Sequence, residues 1–407
     1  MYNKSTDSYY LHYFSRKQPD LNWENPEVRQ EIFDMMRFWF DKGIDGFRMD
    51  SISLIAKDPS FPLIDSKKYP DIFSFYAKEP RLHLYLHEMN RQVLSKYDCM
   101  SVGEGSAVMV DDVAKFVDPA REELNMLYHF DAARIRNTTL PDNPESGIDY
   151  SLIALKKMFT EWDKAVDKGW PSIYLGNHDQ PRMVSRFGSD KDEFRALSAK
   201  MLITFLLTMR GTPYWFAGDE IGMRNIRFDR IEDYNDIDTI NRYKKAKAEG
   251  KDPQAVLDEQ KETGRDNART PFQWDRSPET GFTAGTPWLK VNPDYTWINV
   301  ADEEKDPTSI LNYFKKVVSF RKENPSLIYG SYHLLDAENP QSYTFLRKTG
   351  ADTYLIMLNF SPKAAISTPG IDMSNAHVLL DNYGDRSHMA PQKDITLRPF
   401  EAIVFQL

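Results

Sequence analysis

Charged side chains interrupt one short apolar stretch of the sequence, GIDGFRMDSIS at residues 43–53. Arg48 and Asp50 lie two residues apart, so they share one face of a strand. The apolar residues Phe47 and Met49 then take the opposite face, where they can pack against helices. An arginine beside a carboxylate keeps it ionised, as a nucleophile requires. A structural ion pair is the commoner reason for such a pair, so this motif alone leaves catalysis open.

Two further acidic residues stand at the ends of apolar runs. YDCMSVGE (97–104) ends at Glu104, and PSIYLGNHD (171–179) ends at Asp179. Residues at the carboxyl ends of parallel strands build the active sites of βα barrels and open α/β sheets. A single Glu after Gly is more often a loop or cap residue, and His178 is equally compatible with an ordinary polar role. Acids at three strand ends together indicate a carboxylate-based site more strongly than each does alone.

Helical patterns separate these apolar runs, which is the alternation of a parallel sheet with crossover helices. Asn25 and Pro26 predict a helix start, apolar residues recur at helical spacing as far as Trp39, and Gly43 predicts the end. Residues 222–300 interrupt the alternation with a long polar insertion. The other predicted helices lie at 81–97, 151–166, 193–210 and 309–324, and the further predicted strands at 123–131 and 212–220.

The pattern changes after Pro325. SYTFLRKTGADTYLIMLNF (342–360) predicts a hairpin around Gly350, and DITLRPFEAIVFQL (394–407) predicts another strand pair. We therefore predict a separate small antiparallel, β-sandwich-like domain over residues 327–407.

Composition restricts the possible functions. The chain has 407 residues, of which 41% are hydrophobic and 13% aromatic, so it belongs to neither the disordered nor the membrane class. A net charge of −9 without a long basic block argues against nucleic acid and anionic membranes as partners. Cys99 is the only cysteine, which excludes an intramolecular disulfide and a cysteine-based zinc site. Residues 1–15 are too polar for a signal peptide. We expect a cytoplasmic monomer that uses no metal or cofactor.

Three segments follow one another along the chain: GFRMD (46–50), VGEG (102–105) and GNHDQPR (176–182). Their order and spacing resemble those of the conserved segments of the α-amylase family of glycoside hydrolases. The resemblance runs through nearly the whole chain. Its α-glucosidase branch includes oligo-1,6-glucosidases, α-glucosidases, trehalose-6-phosphate hydrolases and sucrose isomerases. The segments that resemble this branch are QPDLNWENPEVR (18–29), GRDNARTPFQWD (264–275) and PWLKVNPDY (287–295).

The resemblance implies a retaining, exo-acting α-glucosidase that hydrolyses terminal bonds of short oligosaccharides. By position in the motifs, Asp50 would be the nucleophile that forms a glucosyl-enzyme intermediate, and Glu104 the acid that protonates the leaving oxygen and then activates water. Asp179 would hold the sugar 2- and 3-hydroxyls and distort the ring towards the transition state. Glu104 must be protonated to act, so burial and nearby carboxylates are expected to raise its pKa.

The same resemblance implies three substrate-binding residues. Arg48 and His178 would line the glucose site, and Arg265 would meet the 4-hydroxyl of a terminal glucose, which favours attack at chain ends. The substrate would be of the maltose, isomaltose or sucrose type. Ser51 follows the nucleophile, where α-1,6-specific relatives usually carry Val, and this favours a general α-glucosidase. An oligo-1,6-glucosidase and a sucrose isomerase or transglucosidase remain alternatives.

The resemblance also implies an α/β fold, a (β/α)8 TIM-type barrel carried by residues 1–326 with the insertion 222–300. Family members begin with a further segment that supplies the first three barrel strands, and this sequence shows only the last five. An open barrel leaves strand edges unpaired and part of the glucose site unbuilt. We therefore expect an incomplete barrel that has little activity without the missing strands. A non-catalytic sugar-binding fragment is the alternative from another class.

Overall fold

A computed structural model describes residues 1–69, 71–350, 352–389 and 392–407, without the side chains of residues 137 and 138. The chain divides into two compact units. The first comprises Met1–Phe130 with Lys164–Pro171, and the second comprises Asp131–Asp163 with Ser172–Leu407. Among the helices in these described ranges, none has the length and apolar character that crossing a membrane requires. The domain boundary predicted between residues 326 and 327 stays a prediction.

The first unit combines a parallel sheet with helices. β3 (Gly46–Met49), β4 (Met100–Glu104) and β5 (Met126–Tyr128) are parallel and adjacent in that order, while β1 (Tyr2–Asn3) and β2 (Ser8–Tyr9) form a separate antiparallel pair. The strands predicted within 43–53, 97–104 and 123–131 are thereby confirmed. The elements are β1 (Tyr2–Asn3), β2 (Ser8–Tyr9), α1 (Pro26–Asp41), β3 (Gly46–Met49), α2 (Ile72–Tyr76), α3 (Arg81–Gln92), β4 (Met100–Glu104), α4 (Ala114–Val117) and β5 (Met126–Tyr128).

Local signals explain how α1 leads into β3. The Asn25 side chain accepts a hydrogen bond from the N–H of Glu27, and Pro26 occupies the first helical position, where its missing N–H costs nothing. After the helix, Gly43 has a φ of 93°, which a side chain would disfavour. The buried face of α1 includes Phe40, whose ring lies 5.0 Å from that of Phe47 in β3. The helix therefore packs on the strand that it precedes.

The close approach of β3 to β4 requires a glycine at residue 46. A Cβ atom there would lie 2.0 Å from the carbonyl oxygen of Met100, so only Gly46 permits this pairing. The register pairs Arg48 with Val102 and Met49 with Gly103. The carboxyl ends of the two strands are consequently side by side.

The second unit carries the remaining parallel strands and the antiparallel carboxyl-terminal sheets. β6 (Ser172–Ile173) and β7 (Thr212–Pro213) are parallel, which confirms the strands predicted within 171–179 and 212–220. The insertion at 222–300 contains two of the helices in the described residues, α9 (Ile237–Ala248) and α10 (Pro253–Thr263). The elements are α5 (Asp131–Thr138), α6 (Leu152–Ala165), β6 (Ser172–Ile173), α7 (Met183–Phe187), α8 (Asp192–Thr208), β7 (Thr212–Pro213), α9 (Ile237–Ala248), α10 (Pro253–Thr263), α11 (Val300–Glu303), α12 (Ile310–Glu323), α13 (Ser326–Tyr329), β8 (Ser331–Leu335), β9 (Ser342–Thr349), β10 (Asp352–Asn359), β11 (Ala365–Ser367), β12 (His377–Asp381), β13 (Ile395–Leu397) and β14 (Ala402–Gln406).

The carboxyl-terminal strands form a sheet in the order β12-β14-β10-β9-β8 and a second pair, β11-β13, all antiparallel. The hairpin predicted around Gly350 is confirmed, with Thr349 opposite Asp352. The prediction that 394–407 forms a strand pair is wrong in its pairing. β13 and β14 are strands of different sheets, because the buried side chains of β13 pack against those of β10 and β14 in one apolar cluster. The cluster lies between the sheets and includes Leu355, Met357, Ile395, Leu397, Ile403 and Phe405.

Candidate functional site

In the first unit, one arginine lies between two carboxylates. Nη1 of Arg48 donates a hydrogen bond of 2.5 Å to Oδ1 of Asp50, and its Nη2 lies 3.3 Å from Oε2 of Glu104. Asp50 directly follows β3 and Glu104 ends β4, so the parallel pairing of these strands places both acids at one edge. The structure thus brings together the three residues that the sequence predicts for this part of the site.

The two carboxyl groups have different surroundings. The side chain of Asp50 is 77% exposed, whereas that of Glu104 is 7% exposed. Burial raises the pKa of Glu104, as does the contact with Asp50, and the Ser51 N–H and Arg48 oppose the rise only in part. The Ser51 N–H donates to Oε2 of Glu104 at 2.7 Å, from a left-handed backbone with a φ of 45°. The predicted direction of the pKa shift of Glu104 is confirmed.

Tyr128 is a member of this cluster that the sequence analysis missed. It ends β5 opposite Glu104, and its hydroxyl accepts a hydrogen bond from Nη2 of Arg48. The guanidinium carbon of Arg48 also lies 5.4 Å from the centre of the Tyr128 ring. Burial, and next the charge of Glu104, raise the pKa of the Tyr128 hydroxyl. The sequence offered one signal for Tyr128. The apolar run 123–131 supplies a third strand of the sheet, and the other two strands carry predicted site residues at their ends.

In the second unit, the structure brings together the other three predicted residues. Oδ1 of Asp179 lies 3.4 Å from Nη1 of Arg265, and Oδ2 of Asp179 lies 3.3 Å from Nε2 of His178. The Asp179 N–H donates to the side chain of Asn177 at 2.8 Å, which fixes the backbone of this turn. Asp179 therefore has a defined orientation after β6.

Arg269 and Asp236 extend this second cluster, and the sequence analysis assigned neither. Arg269 donates to Oδ1 of Asp179 at 2.7 Å and to the carbonyl oxygen of His178 at 2.8 Å. Arg265 donates to Asp236, whose side chain is buried. Burial alone would raise the pKa of Asp236, but the N–H of Thr239 and Arg265 lower it overall. Arg269 lies within the quoted motif GRDNARTPFQWD, which was a signal for it.

The first cluster offers a specific chemistry. An exposed carboxylate beside a buried carboxyl whose pKa is raised can serve as nucleophile and general acid. The second cluster offers a carboxylate held by two arginines, which suits the binding of hydroxyl groups. In the part of the chain that the structure describes, no group of three His, Cys, Asp or Glu side chains is arranged to hold a metal ion. Convergence of Asp50, Glu104 and Asp179 on one glucose ring stays a prediction.

Known proteins are similar to this chain in sequence and in fold. The family model "Alpha amylase, catalytic domain" matches residues 1–330. An oligo-1,6-glucosidase of Parageobacillus thermoglucosidasius is 47% identical over 416 residues, covering 100% of this chain and 73% of that protein. An oligo-1,6-glucosidase of Bacillus cereus is 44% identical with the same coverage. The crystal structure of a trehalulose synthase in complex with Tris matches with a TM-score of 0.93 and 37% identity, covering 100% of this chain and 73% of that chain.

Proposed function

The chain belongs to the alpha-amylase family of glycoside hydrolases, and on that premise we propose that it is a retaining, exo-acting α-glucosidase of short oligosaccharides. The observation that carries the proposal is the exposed Asp50 beside the buried Glu104, whose pKa is raised. A retaining glycosidase needs such a pair, one carboxylate ionised as the nucleophile and one carboxyl protonated as the acid.

In the proposed reaction, a carboxylate oxygen of Asp50 attacks the anomeric carbon of the terminal glucose while Glu104 gives its proton to the departing oxygen. The bond to the leaving group breaks as the glucosyl ester forms. Glu104, now ionised, takes a proton from water, and the water oxygen displaces Asp50 from the anomeric carbon. Two inversions give net retention. Arg48 stabilises the negative charge of Asp50 before the attack and after the release.

The second cluster would bind the same glucose. Asp179 would accept hydrogen bonds from the 2- and 3-hydroxyls, beside His178, and Arg265 would meet the 4-hydroxyl. The contacts from Arg265 and Arg269 to Asp179 support this role, because they hold the carboxylate in a fixed orientation. A 4-hydroxyl contact excludes a further sugar at that position, which supports attack at chain ends.

Three readings of the same site differ in the bond that is cleaved or in the product that is released. Ser51, small and next to Asp50, supports a general α-glucosidase, while both relatives described above are oligo-1,6-glucosidases. The fold match to a trehalulose synthase supports isomerisation as the second candidate. Product analysis with maltose, isomaltose and sucrose decides between them, since only an isomerase converts sucrose into another disaccharide.

We also propose that the barrel is incomplete in this chain, with a catalytic domain over residues 1–326. In the part of the chain that the structure describes, the parallel strands occur as a set of three and a set of two, and the chain spans 73% of the length of the two relatives described above. The corresponding expectation is low turnover that rises when the remaining (β/α) units of a relative are added as a separate polypeptide. Turnover of the unsupplemented chain equal to that of an intact relative would refute this part of the proposal.

The test of the main proposal is hydrolysis of p-nitrophenyl α-glucoside with NMR detection of the first anomer released. We expect α-glucose, and loss of activity in Asp50→Asn and Glu104→Gln. Asp58→Asn is the matched control, since Asp58 is a half-buried acid of the same unit whose side chain accepts hydrogen bonds from Ser60. Release of β-glucose, or an Asp50→Asn variant as active as the parent, would overturn the retaining mechanism. Retained sugar binding without turnover in all forms would favour a non-catalytic sugar-binding fragment.

A further inference from the structure

The proposed chemistry gives no role to Asp236, a buried acid that adjoins the sugar-binding cluster of the second unit. Asp236 directly precedes α9 in the long insertion, and its side chain is buried. A buried charge costs free energy unless opposite charge and hydrogen bonds compensate for it. The contacts of Asp236 therefore indicate what it holds in place.

One carboxylate oxygen of Asp236 faces both arginines of this cluster. Oδ1 accepts a hydrogen bond of 2.5 Å from Nη2 of Arg265 and lies 3.7 Å from Nη1 of Arg269. The same two guanidinium groups reach Oδ1 of Asp179, at 3.4 Å from Arg265 and at 2.7 Å from Arg269. Two acids thus share two arginines, one acid buried and the other proposed to bind the sugar.

The other carboxylate oxygen and the backbone of Asp236 fix this acid at the start of α9. Oδ2 accepts hydrogen bonds from the N–H of Thr239 at 3.1 Å and from its hydroxyl at 2.9 Å, which caps the helix. The N–H of Asp236 donates to Oδ2 of the buried Asp266 at 2.8 Å. Because the helix holds one oxygen, the other stays directed at the arginines.

We propose that Asp236 is a positioning residue that anchors Arg265 and Arg269 from the start of α9 and through them sets the orientation of Asp179. The effect on sugar binding rests on the proposed function, whereas the anchoring of the two arginines does not. Asp236 acts through other side chains and touches no substrate.

The charge of Asp236 also affects how well Asp179 can bind a sugar. Two neighbouring guanidinium groups repel each other, and without Asp236 a larger share of their positive charge would fall on Asp179. A carboxylate that is more fully engaged by arginines has less capacity to accept hydrogen bonds from sugar hydroxyls. Asp236 therefore keeps the arginines in place and leaves Asp179 available.

The experiment separates the charge of Asp236 from its capping role. Asp236→Asn removes the charge and keeps an acceptor for the helix, since Asn caps helices as well as Asp does. NMR of the arginine Nη groups, assigned with Arg265→Lys and Arg269→Lys, measures the rotation of each guanidinium group about its Nε–Cζ bond. Amide hydrogen exchange of residues 237–240 reports on the cap and should stay as in the parent.

We expect the rotation of Arg265 to accelerate about tenfold in Asp236→Asn, the effect of losing a hydrogen bond between charged groups. The rotation of Arg269 should accelerate less, because Arg269 keeps its hydrogen bond to the carbonyl oxygen of His178. If the chain hydrolyses glucosides, KM should rise more than kcat falls.

The matched control is Asp252→Ala, because Asp252 caps the neighbouring helix α10 by accepting from the N–H of Gln254 at 2.9 Å. This variant should leave the rotation of Arg265 unchanged. Unchanged rotation in Asp236→Asn would overturn the proposal, since it would show that the acid anchors nothing. Equal acceleration in the control would also overturn it, because the effect would then be a general loosening of the insertion.

Two further outcomes have defined meanings. If exchange of 237–240 also accelerates in Asp236→Asn, Thr239→Val decides, because it weakens the cap and leaves the contact with Arg265; equal rotation in the two variants would overturn the proposal. Faster rotation with an unchanged KM would overturn the effect on sugar binding. An absence of glucoside hydrolysis in the parent refutes the proposed function and leaves the rotation of Arg265 to decide the anchoring.

Discussion

At the scale of single residues, the first cluster contains two carboxyl groups of similar intrinsic acidity in different surroundings. Asp50 faces solvent and pairs with Arg48, while Glu104 is buried and has a raised pKa. The N–H of Ser51 and the charge of Arg48 lower the pKa of Glu104, so burial outweighs two opposing contacts. Burial and the neighbouring Asp50 together raise the pKa of Glu104, which is the direction that an acid catalyst needs.

The first prediction follows from the contribution of Asp50. In Asp50→Asn, the pKa of Glu104 should fall, because the variant removes a negative charge that raises it and leaves Arg48 and the Ser51 N–H in place. Carbon-13 NMR titration of the Glu104 carboxyl measures the shift whether or not the chain is active. Asp58→Asn serves as the control and should leave the titration unchanged. A pKa of Glu104 that stays or rises in Asp50→Asn would contradict this account.

The sequence predicted the residues of both clusters but not all of their partners. Arg48, Asp50 and Glu104 were accessible because they stand out against apolar strands. Tyr128 was missed because an aromatic residue at a strand end looks like core, and only the register opposite Glu104 gives it a polar neighbour. Asp236 was missed because its partner Arg265 is distant in the sequence, and no local pattern indicates that the two side chains meet.

At the scale of elements, a buried lysine joins a helix to a turn of the carboxyl-terminal sheet. Lys156 of α6 is fully buried, and its Nζ donates to the carbonyl oxygens of Asp336, Asn339 and Ser342 at 3.0, 2.7 and 3.2 Å. These carbonyls belong to the connection between β8 and β9 and the start of β9. The ammonium group therefore donates to three carbonyl oxygens, of which that of Ser342 is buried and that of Asp336 also accepts from the N–H of Asn339.

The second prediction concerns this contact. Lys156→Met keeps the apolar stem but removes the donor, so we expect the free energy of unfolding of the second unit to fall by about 2 kcal/mol. Urea unfolding followed by circular dichroism measures the change. The control is Lys157→Met, because Lys157 is exposed and only pairs loosely with Glu161. Equal losses in the two variants would show that the three carbonyl contacts contribute nothing beyond the loss of a charge.

Local sequence signals predicted where helices and strands form, but they did not predict which strands pair. Capping residues and helical spacing predicted α1, with Asn25 and Pro26 at its start, and Ser309 caps α12 in the same way. The pairing of 394–407 was mispredicted because strand partners are chosen by packing between distant segments. β14 instead lies between β10 and β12. The helices inside 222–300 escaped notice because their faces are largely polar.

At the scale of the whole molecule, net charge bears on the choice of substrate. The chain carries a formal charge of −9, with 61 acidic and 52 basic side chains. A negative field does not act on a neutral sugar, but it repels an anionic one at distances up to the Debye length. The proposed substrates of the maltose, isomaltose or sucrose type are all uncharged, which agrees with this balance.

The third prediction tests that balance through ionic strength. Between about 20 mM and about 500 mM salt, kcat/KM for a neutral α-glucoside should change by less than about twofold, since no long-range attraction is screened. For the 6-phosphorylated form of the same glucoside, kcat/KM should be lower at low salt and rise as salt screens the repulsion. Glucose binding to Asp50→Asn, measured by calorimetry under both conditions, controls for direct salt effects on the site. The prediction would be contradicted if the phosphorylated substrate were preferred at low salt and lost that preference at high salt. Such a result would reveal a local positive field at the site that outweighs the overall negative charge.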